Sequence, residues 1–195
     1  MKITVVIPCY NECGTLPQVV RSVRAAPVAD LELIVVDDVS TDSSAEWLRG
    51  PLAAEIDRVI LHERNRGKGA ALRSGFAEAR GEVIIIQDAD LEYRPEEYPK
   101  LLARIEKGLA DAVFGSRFRG GEPHRAAYFW HMIGNKSLTI PSNLRTDLSL
   151  TDIETGARAG CRIYEVGISH DGRTYAEGRV GWRDGLRAIY AILKY

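Results

Sequence analysis

The sequence predicts an α/β fold with a mainly parallel sheet flanked by helices. Three observations carry this: short β-branched runs alternate with helical stretches, the runs are almost continuously apolar, and the segments between them carry helix start and stop signals. Continuous apolar runs mark strands buried on both faces, and strand–helix alternation makes consecutive strands parallel.

The first run, residues 2–7, leads through a polar turn to a helical stretch at 15–26, with Thr15 as a candidate cap. The second run, 31–36, precedes a helical stretch at 42–52 that opens on Asp42, again a residue type suited to capping. The third, 58–62, is followed by a helix over 68–80 with Gly81 beyond its end, and the fourth, 82–87, by a helix over 95–107 with Pro95 in its first turn and Gly108 after it. Runs at 111–115 and 162–167 complete the strand set. From Phe118 the pattern loosens: residues 119–123 (RGGEP) break the chain, and 126–140, with Tyr128, Phe129 and Trp130 in succession, reads as a helix leaving the sheet. The tail, 182–195, returns to helical spacing, with Leu186, Ile189, Tyr190 and Leu193 on one side; that face suits either core cover or a membrane surface.

Composition agrees with a globular chain. Of 195 residues, 45% are apolar and 27% charged, and 26 basic residues against 27 acidic ones leave a net charge of -1. No global field draws the chain to nucleic acid, so an anion site must be a local cluster. Cys9, Cys13 and Cys161 fit neither a disulfide framework nor a zinc site, which suits a reducing cytoplasm. No run reaches the ~18 apolar residues of a membrane span.

In parallel α/β sheets ligands meet the carboxyl ends of the strands, so the residues after each run carry the chemistry. Pro8, Tyr10 and Glu12 follow the first run, offering an aromatic face and polar groups. Asp37 and Asp38 follow the second; a carboxylate there can accept from a base amide or a ribose hydroxyl, and capping explains the segment nearly as well. Residues 64–69 (RNRGKG) open a helix with glycines, backbone N–H groups and cations, a combination suited to phosphate and equally to a solvated helix start. They form neither a Walker loop nor a dinucleotide fingerprint. Asp88 and Asp90 stand two apart on an extended segment, which sends both carboxylates to one side, and oxygen-only ligands select a hard cation such as Mg²⁺ or Mn²⁺. Glu92 is a third candidate ligand, directly or through water. Arg117, with Arg119, His124, Arg125, His131 and Lys136 after it, suits phosphate recognition or a solvated helix face. His62 and His170 read as incidental, because the sequence supplies no nucleophile and orienting acid around either.

Taken in order, VVIPCYNE, VVDDVSTD, NRGKGAALRSGF, IIIQDADLE, FGSRF, GNKSLT and TDIETG resemble the inverting family 2 glycosyltransferases of GT-A (Rossmann-like) fold, in particular the branch of dolichyl-phosphate mannosyltransferases and other polyprenyl-phosphate sugar transferases. The resemblance implies that Pro8, Tyr10, Glu12, Asp37 and Asp38 hold the nucleoside, with Lys68 near the base or phosphates. It implies a metal on Asp88 and Asp90, helped by Glu92, Asp88 also touching the nucleotide, and phosphates on Arg117 and Arg173. The chain then reads as one domain over 1–195, a nucleotide-sugar-binding half (1–117) and an acceptor-side half (118–195). Two departures from the family pattern stand out. Val39 takes the place of a small residue, and TDIETGARAG runs directly into CRIYEVG where relatives place a further helical segment, so the acceptor side reads as internally shortened.

The expected activity is metal-dependent transfer, with inversion, of a hexose from GDP-mannose or UDP-glucose to a polyprenyl or dolichyl phosphate. A location in the cytoplasm, peripheral on the cytoplasmic face of a membrane, follows from such an acceptor, and nucleic acid is not an expected partner. The alternative is a non-catalytic nucleotide-sugar-binding or scaffold protein derived from such a transferase.

Overall fold

The computed structural model describes residues 1–116 and 162–169. Two compact units divide the chain, 1–99 and 100–195. The expected helices at 126–140 and 182–195 lie outside the described residues.

In the first unit, β1 (Ile3–Cys9), β2 (Leu31–Asp37), β3 (Arg58–Leu61) and β4 (Val83–Ile86) form one sheet in the order β3-β2-β1-β4. All its pairings are parallel, with Ile3 opposite Leu31 and Val83, and Ile34 opposite Arg58. β1 and β2 are buried almost end to end, the physical counterpart of their uninterrupted apolar sequences. Order 3-2-1-4 means that the chain winds outward from β1 to β3 and then crosses to the other side of β1. The connections leaving β1 and β4 therefore diverge and open a crevice at the carboxyl ends of these strands.

Helix α1 (Leu16–Arg24) presents Leu16, Val19, Val20 and Val23 to the core at helical spacing. Thr15 stands at its N-cap position, but its hydroxyl donates to the Glu12 carbonyl (3.3 Å) and carboxylate (3.0 Å) instead of receiving a helix N–H. Helix α2 (Ser44–Arg49) is shorter than the sequence predicts, because Gly50 and Pro51 interrupt it before a 3₁₀ turn at Ala53–Glu55. Helix α3 (Lys68–Glu78) packs on β1 and β2 through small residues, Ala71 and Gly75, against Val6, Ile34 and Val36. A Cβ at Gly75 would stand 2.4 Å from Val6 Cγ1, so only glycine lets the helix approach this closely. The fourth expected helix is a 3₁₀ turn at Pro95–Glu97 running into α4 (Tyr98–Glu106). The Tyr98 hydroxyl donates to Gln87 Oε1 at 2.8 Å, tying this turn to the chain after β4.

In the second unit, β5 (Ala112–Ser116) pairs in parallel with β6 (Ile163–Gly167). Asp111 and Arg162 clamp the start of this pair through a two-pronged ion pair at 2.9 and 3.1 Å, and the Arg104 guanidinium lies 5.5 Å from the Tyr164 ring centre. Gly115 admits Ile168, whose Cδ1 would lie 2.3 Å from a Cβ built there.

Candidate functional site

The crevice of the first unit is a cleft of about 330 Å³. Its walls come from the three loops that the strand order brings together: Pro8, Cys9, Tyr10 and Glu12 after β1, Asp38 after β2, and Asp88, Ala89 and Asp90 after β4. Asn65, Gly67, Lys68 and Ala71 complete it from the loop before α3 and the first turn of that helix. Tyr10 is 49% exposed, an aromatic face left open at the rim. Among the described residues, three of the four non-glycine residues at positive φ lie in these loops: Asn11 at 58°, Val39 at 65° and Leu91 at 62°. Such backbone strain collects where loops are shaped for a ligand.

The loops are cross-braced. The Asn11 side-chain carbonyl accepts from Thr41 N–H at 2.7 Å, and the Ser40 hydroxyl accepts from Asn11 N–H at 2.9 Å. Asp42 accepts from Cys13 N–H (3.0 Å) and from Ser44 N–H (2.9 Å), so it caps α2 from one residue before the N-cap position while holding the β1 loop. Burial would raise the Asp42 carboxyl, but the hydrogen bonds from Ser44 and Cys13 outweigh it and hold the group down to about 2. The Cys9 thiol is pushed up to about 12, chiefly by burial and next by the neighbouring Asp37 charge.

Asp37 and Asp38, adjacent in sequence, have separate surroundings. Asp38, 2% exposed, accepts from Arg66 N–H (3.0 Å), Gly67 N–H (2.6 Å) and the His62 ring (Nδ1, 2.6 Å). Burial alone would raise its pKa, and those hydrogen bonds bring it below the usual carboxylate range. Asp37, 3% exposed, accepts from Ser40 N–H at 3.1 Å through Oδ2, whereas its Oδ1 has no hydrogen-bond partner among the described residues. A buried carboxylate oxygen left without a donor is costly, and a ligand donor is the usual remedy at the end of a strand.

Across the cleft, the Lys68 ammonium reaches both oxygens of Asp88, at 2.7 and 2.9 Å. Asp88 and Asp90 share the cleft, and Glu92 N–H donates to Asp90 Oδ1 at 3.3 Å. Among the described residues no group of three or more His, Cys, Asp and Glu side chains converges as a ready-made metal cage. Two carboxylates on one wall, one of them already drawing a cation, still fit a hard divalent ion whose remaining ligands are water and phosphate oxygens.

Of the residues the sequence singles out, Pro8, Tyr10, Glu12, Asp38, Lys68, Asp88 and Asp90 line this cleft. Asp37 and Glu92 adjoin it in sequence. Arg117 and Arg173 lie outside the described residues, as do Arg119, His124, Arg125, His131 and Lys136. The sequence singles out Asn65 only within the 64–69 segment, not as the donor from Nδ2 to the Asp38 carbonyl at 3.0 Å, and it misses His62, which bridges Asp38 and Ser74. No sequence spacing signals the latter, because its partners lie 24 and 12 residues away on other elements.

Comparison with known proteins assigns this architecture. Residues 4–172 match the family described as glycosyl transferase family 2, and the chain belongs to that family. An undecaprenyl-phosphate 4-deoxy-4-formamido-L-arabinose transferase of Proteus mirabilis (strain HI4320) is 42% identical over 223 residues, covering 98% of this chain and 67% of the relative. A protein of the same name from Pseudomonas fluorescens (strain Pf0-1) is 41% identical over 123 residues, covering 59% of this chain and 36% of its own length. This chain thus spans between about a third and two thirds of these relatives. In three dimensions it is similar to glucosyl-3-phosphoglycerate synthase from Mycobacterium tuberculosis in complex with Mn²⁺, UDP and glucosyl-3-phosphoglycerate, with a TM-score of 0.67 and 20% identity over 98% of this chain and 78% of that one. The fold is that of the GT-A glycosyltransferases. No helix among the described residues is long and apolar enough to cross a membrane.

Proposed function

We propose that this chain transfers a sugar from a nucleoside-diphosphate donor to a polyprenyl phosphate, undecaprenyl phosphate by analogy with the named relatives, with inversion at the anomeric carbon. The observation that carries the reading is the cleft itself. An open aromatic face (Tyr10), a lysine at a helix start (Lys68) and two carboxylates (Asp88, Asp90) stand around about 330 Å³ of space at the switch point of the sheet, and Asp37, with a buried unpartnered oxygen, adjoins it in sequence.

Tyr10 would stack on the base and Asp37 would accept from the nucleoside. The N-terminal N–H groups of α3 and Lys68 face the diphosphate. Asp88 and Asp90 would hold Mg²⁺ or Mn²⁺, which when bound supplies neutralisation of the departing diphosphate. A phosphate-monoester acceptor is largely anionic at neutral pH, its second pKa being about 6, so the protein's task is to orient it and screen its charge more than to remove a proton. Arg117 and Arg173 are proposed for that task. A polyprenyl acceptor places the reaction at the cytoplasmic face of a membrane, with the protein as a peripheral visitor. The resemblance of the sequence motifs to dolichyl-phosphate mannosyltransferases favours GDP-mannose or UDP-glucose, and the names of the relatives add a modified arabinose.

A second reading rests on one observation. The alignment with the Proteus mirabilis relative runs over 223 residues, more than the 195 this chain has, which is in keeping with an internal shortening, proposed here for the acceptor side. A chain so shortened would bind nucleotide sugar without turning it over. Isothermal titration of UDP and of GDP, each with and without Mn²⁺, followed by transfer to undecaprenyl phosphate in the same preparation, tests both readings. Metal-enhanced binding of one nucleotide with formation of the lipid-linked sugar is the expected result. Binding without transfer selects the second reading, and failure to bind either nucleotide overturns both.

A further inference from the structure

Among the described residues, the buried side chain of His62 joins three elements around the cleft without lining it. It follows β3, and its ring is only 7% exposed. Nδ1 lies 2.6 Å from Asp38 Oδ1, beyond the end of β2, and Nε2 lies 2.9 Å from Ser74 Oγ on α3. The same Asp38 carboxylate accepts from the backbone N–H groups of Arg66 and Gly67, immediately before the first turn of α3. The Asp38 carbonyl takes the Asn65 side-chain amide at 3.0 Å, and His62 N–H donates to the Asp37 carbonyl at 2.9 Å. Gly67 is held at a φ of 83° with no atom within 4 Å of where a Cβ would stand, so its conformation is set by these bonds and not by packing.

We propose that Asp38, His62 and Ser74 form a buried strut that positions residues 65–68 for the donor diphosphate, so that Asp38 acts through the loop it holds and not as a nucleoside ligand. The inference rests on the nucleotide-sugar reading above. Its chemistry is directional. An ionised Asp38 only accepts hydrogen bonds, so Nδ1 of His62 carries a proton, and in the neutral ring Nε2 accepts from the Ser74 hydroxyl. This fixes the Nδ1–H tautomer and leaves both Asp38 oxygens engaged. Asp37, buried with one unpartnered oxygen, is then the member of the acidic pair left for the nucleoside role proposed above.

Two substitutions separate the two ends of the strut. His62→Asn keeps a donor at the Nδ1 position toward Asp38, whereas His62→Gln keeps the reach toward Ser74 and gives up Asp38. Asp38→Asn removes an acceptor from the loop amides. Titration of each variant with UDP, GDP and the matching monophosphates reads the effect. Wild type and His62→Asn are expected to share one diphosphate-over-monophosphate preference within about threefold. His62→Gln and Asp38→Asn should lose about tenfold in diphosphate affinity, with monophosphate affinity kept. A variant that is merely misfolded loses both ligands alike, which would overturn the positioning role, as would an unchanged diphosphate preference in His62→Gln.

A ligand-free measurement decides independently. Long-range ¹H–¹⁵N correlation of the wild-type imidazole should show a protonated Nδ1, and an unprotonated Nδ1 sinks the strut. If the wild type binds neither nucleotide, the donor reading fails while the tautomer still reports on the strut.

Discussion

Val39 is the most constrained single residue beside the cleft. A β-branched side chain at a φ of 65° stands in the left-handed region, where contact between Cβ and the backbone costs roughly 1–2 kcal/mol. The family resemblance places a small residue here, and the turn that carries Asp38 and Ser40 explains why. Val39→Gly should therefore stabilise the chain by about 0.5–1 kcal/mol, the relieved strain less the extra freedom of glycine in the unfolded state. A urea midpoint that falls would refute this. The neighbouring Asp37 gives a second expectation at the same scale. Asp37→Asn takes away a buried charge with an unpartnered oxygen, so the unfolding midpoint should not drop, while affinity for the nucleotide should fall about tenfold through loss of an acceptor. Equal affinity in a nucleotide titration would remove Asp37 from the nucleoside site. The sequence presented Asp37 and Asp38 as one pair, yet consecutive side chains at a strand end point to opposite sides, so the two carboxylates meet different partners.

Elements were legible to the extent that burial dictates them. The six strands among the described residues fall where apolar runs predict them, most plainly β1 and β2, because a strand covered on both faces has no polar option at either parity. Helix ends were less legible. Residues 42–52 carry helical composition, yet α2 stops at Arg49 because Pro51 cannot continue it, and the chain resumes as a 3₁₀ turn. Asp42 shows what a cap can add beyond its own helix, since its carboxylate also holds Cys13 N–H and so joins the β1 and β2 loops. Its pKa, held down to about 2, lies below the ordinary value of 3.8 expected in the unfolded chain. The folded state therefore binds the Asp42 proton less readily than the unfolded state. That stabilisation is complete above about pH 5 and is lost as pH falls toward 2. Asp42→Asn should flatten the pH dependence of urea stability over this window while lowering stability near pH 7. A variant with the same acid slope as the wild type would deny Asp42 this role.

At the scale of the whole molecule, the strand order accounts for why motifs scattered through the first half of the sequence serve one purpose. Crossing back past β1 brings the loops after β1, β2 and β4 to one edge, where the Pro8–Glu12 segment, Asp38 and Asp88–Asp90 share a single cleft. No local pattern contains that information, which is why His62 looked incidental and proved to be a bridge. The cleft also carries a charge problem of its own: Asp88 draws Lys68, the cation proposed above for the donor diphosphate. A diphosphate arriving alone must pull Lys68 from Asp88 and leave two carboxylates facing its own charge. Were a divalent cation bound with it, Asp88 and Asp90 would hold the cation, which would supply charge neutralisation, and Lys68 would be free to turn to a phosphate oxygen. Thermal unfolding should therefore respond to UDP or GDP much more with Mn²⁺ than without, approaching the stabilisation of about 2.7 kcal/mol expected when ligand is present at 100 times its Kd. Lys68→Met should narrow that gap from the other side, binding Mn²⁺ more readily without nucleotide and the nucleotide less well with it. Equal shifts with and without metal in the wild type would mean that Asp88 and Asp90 serve the loop and not the donor.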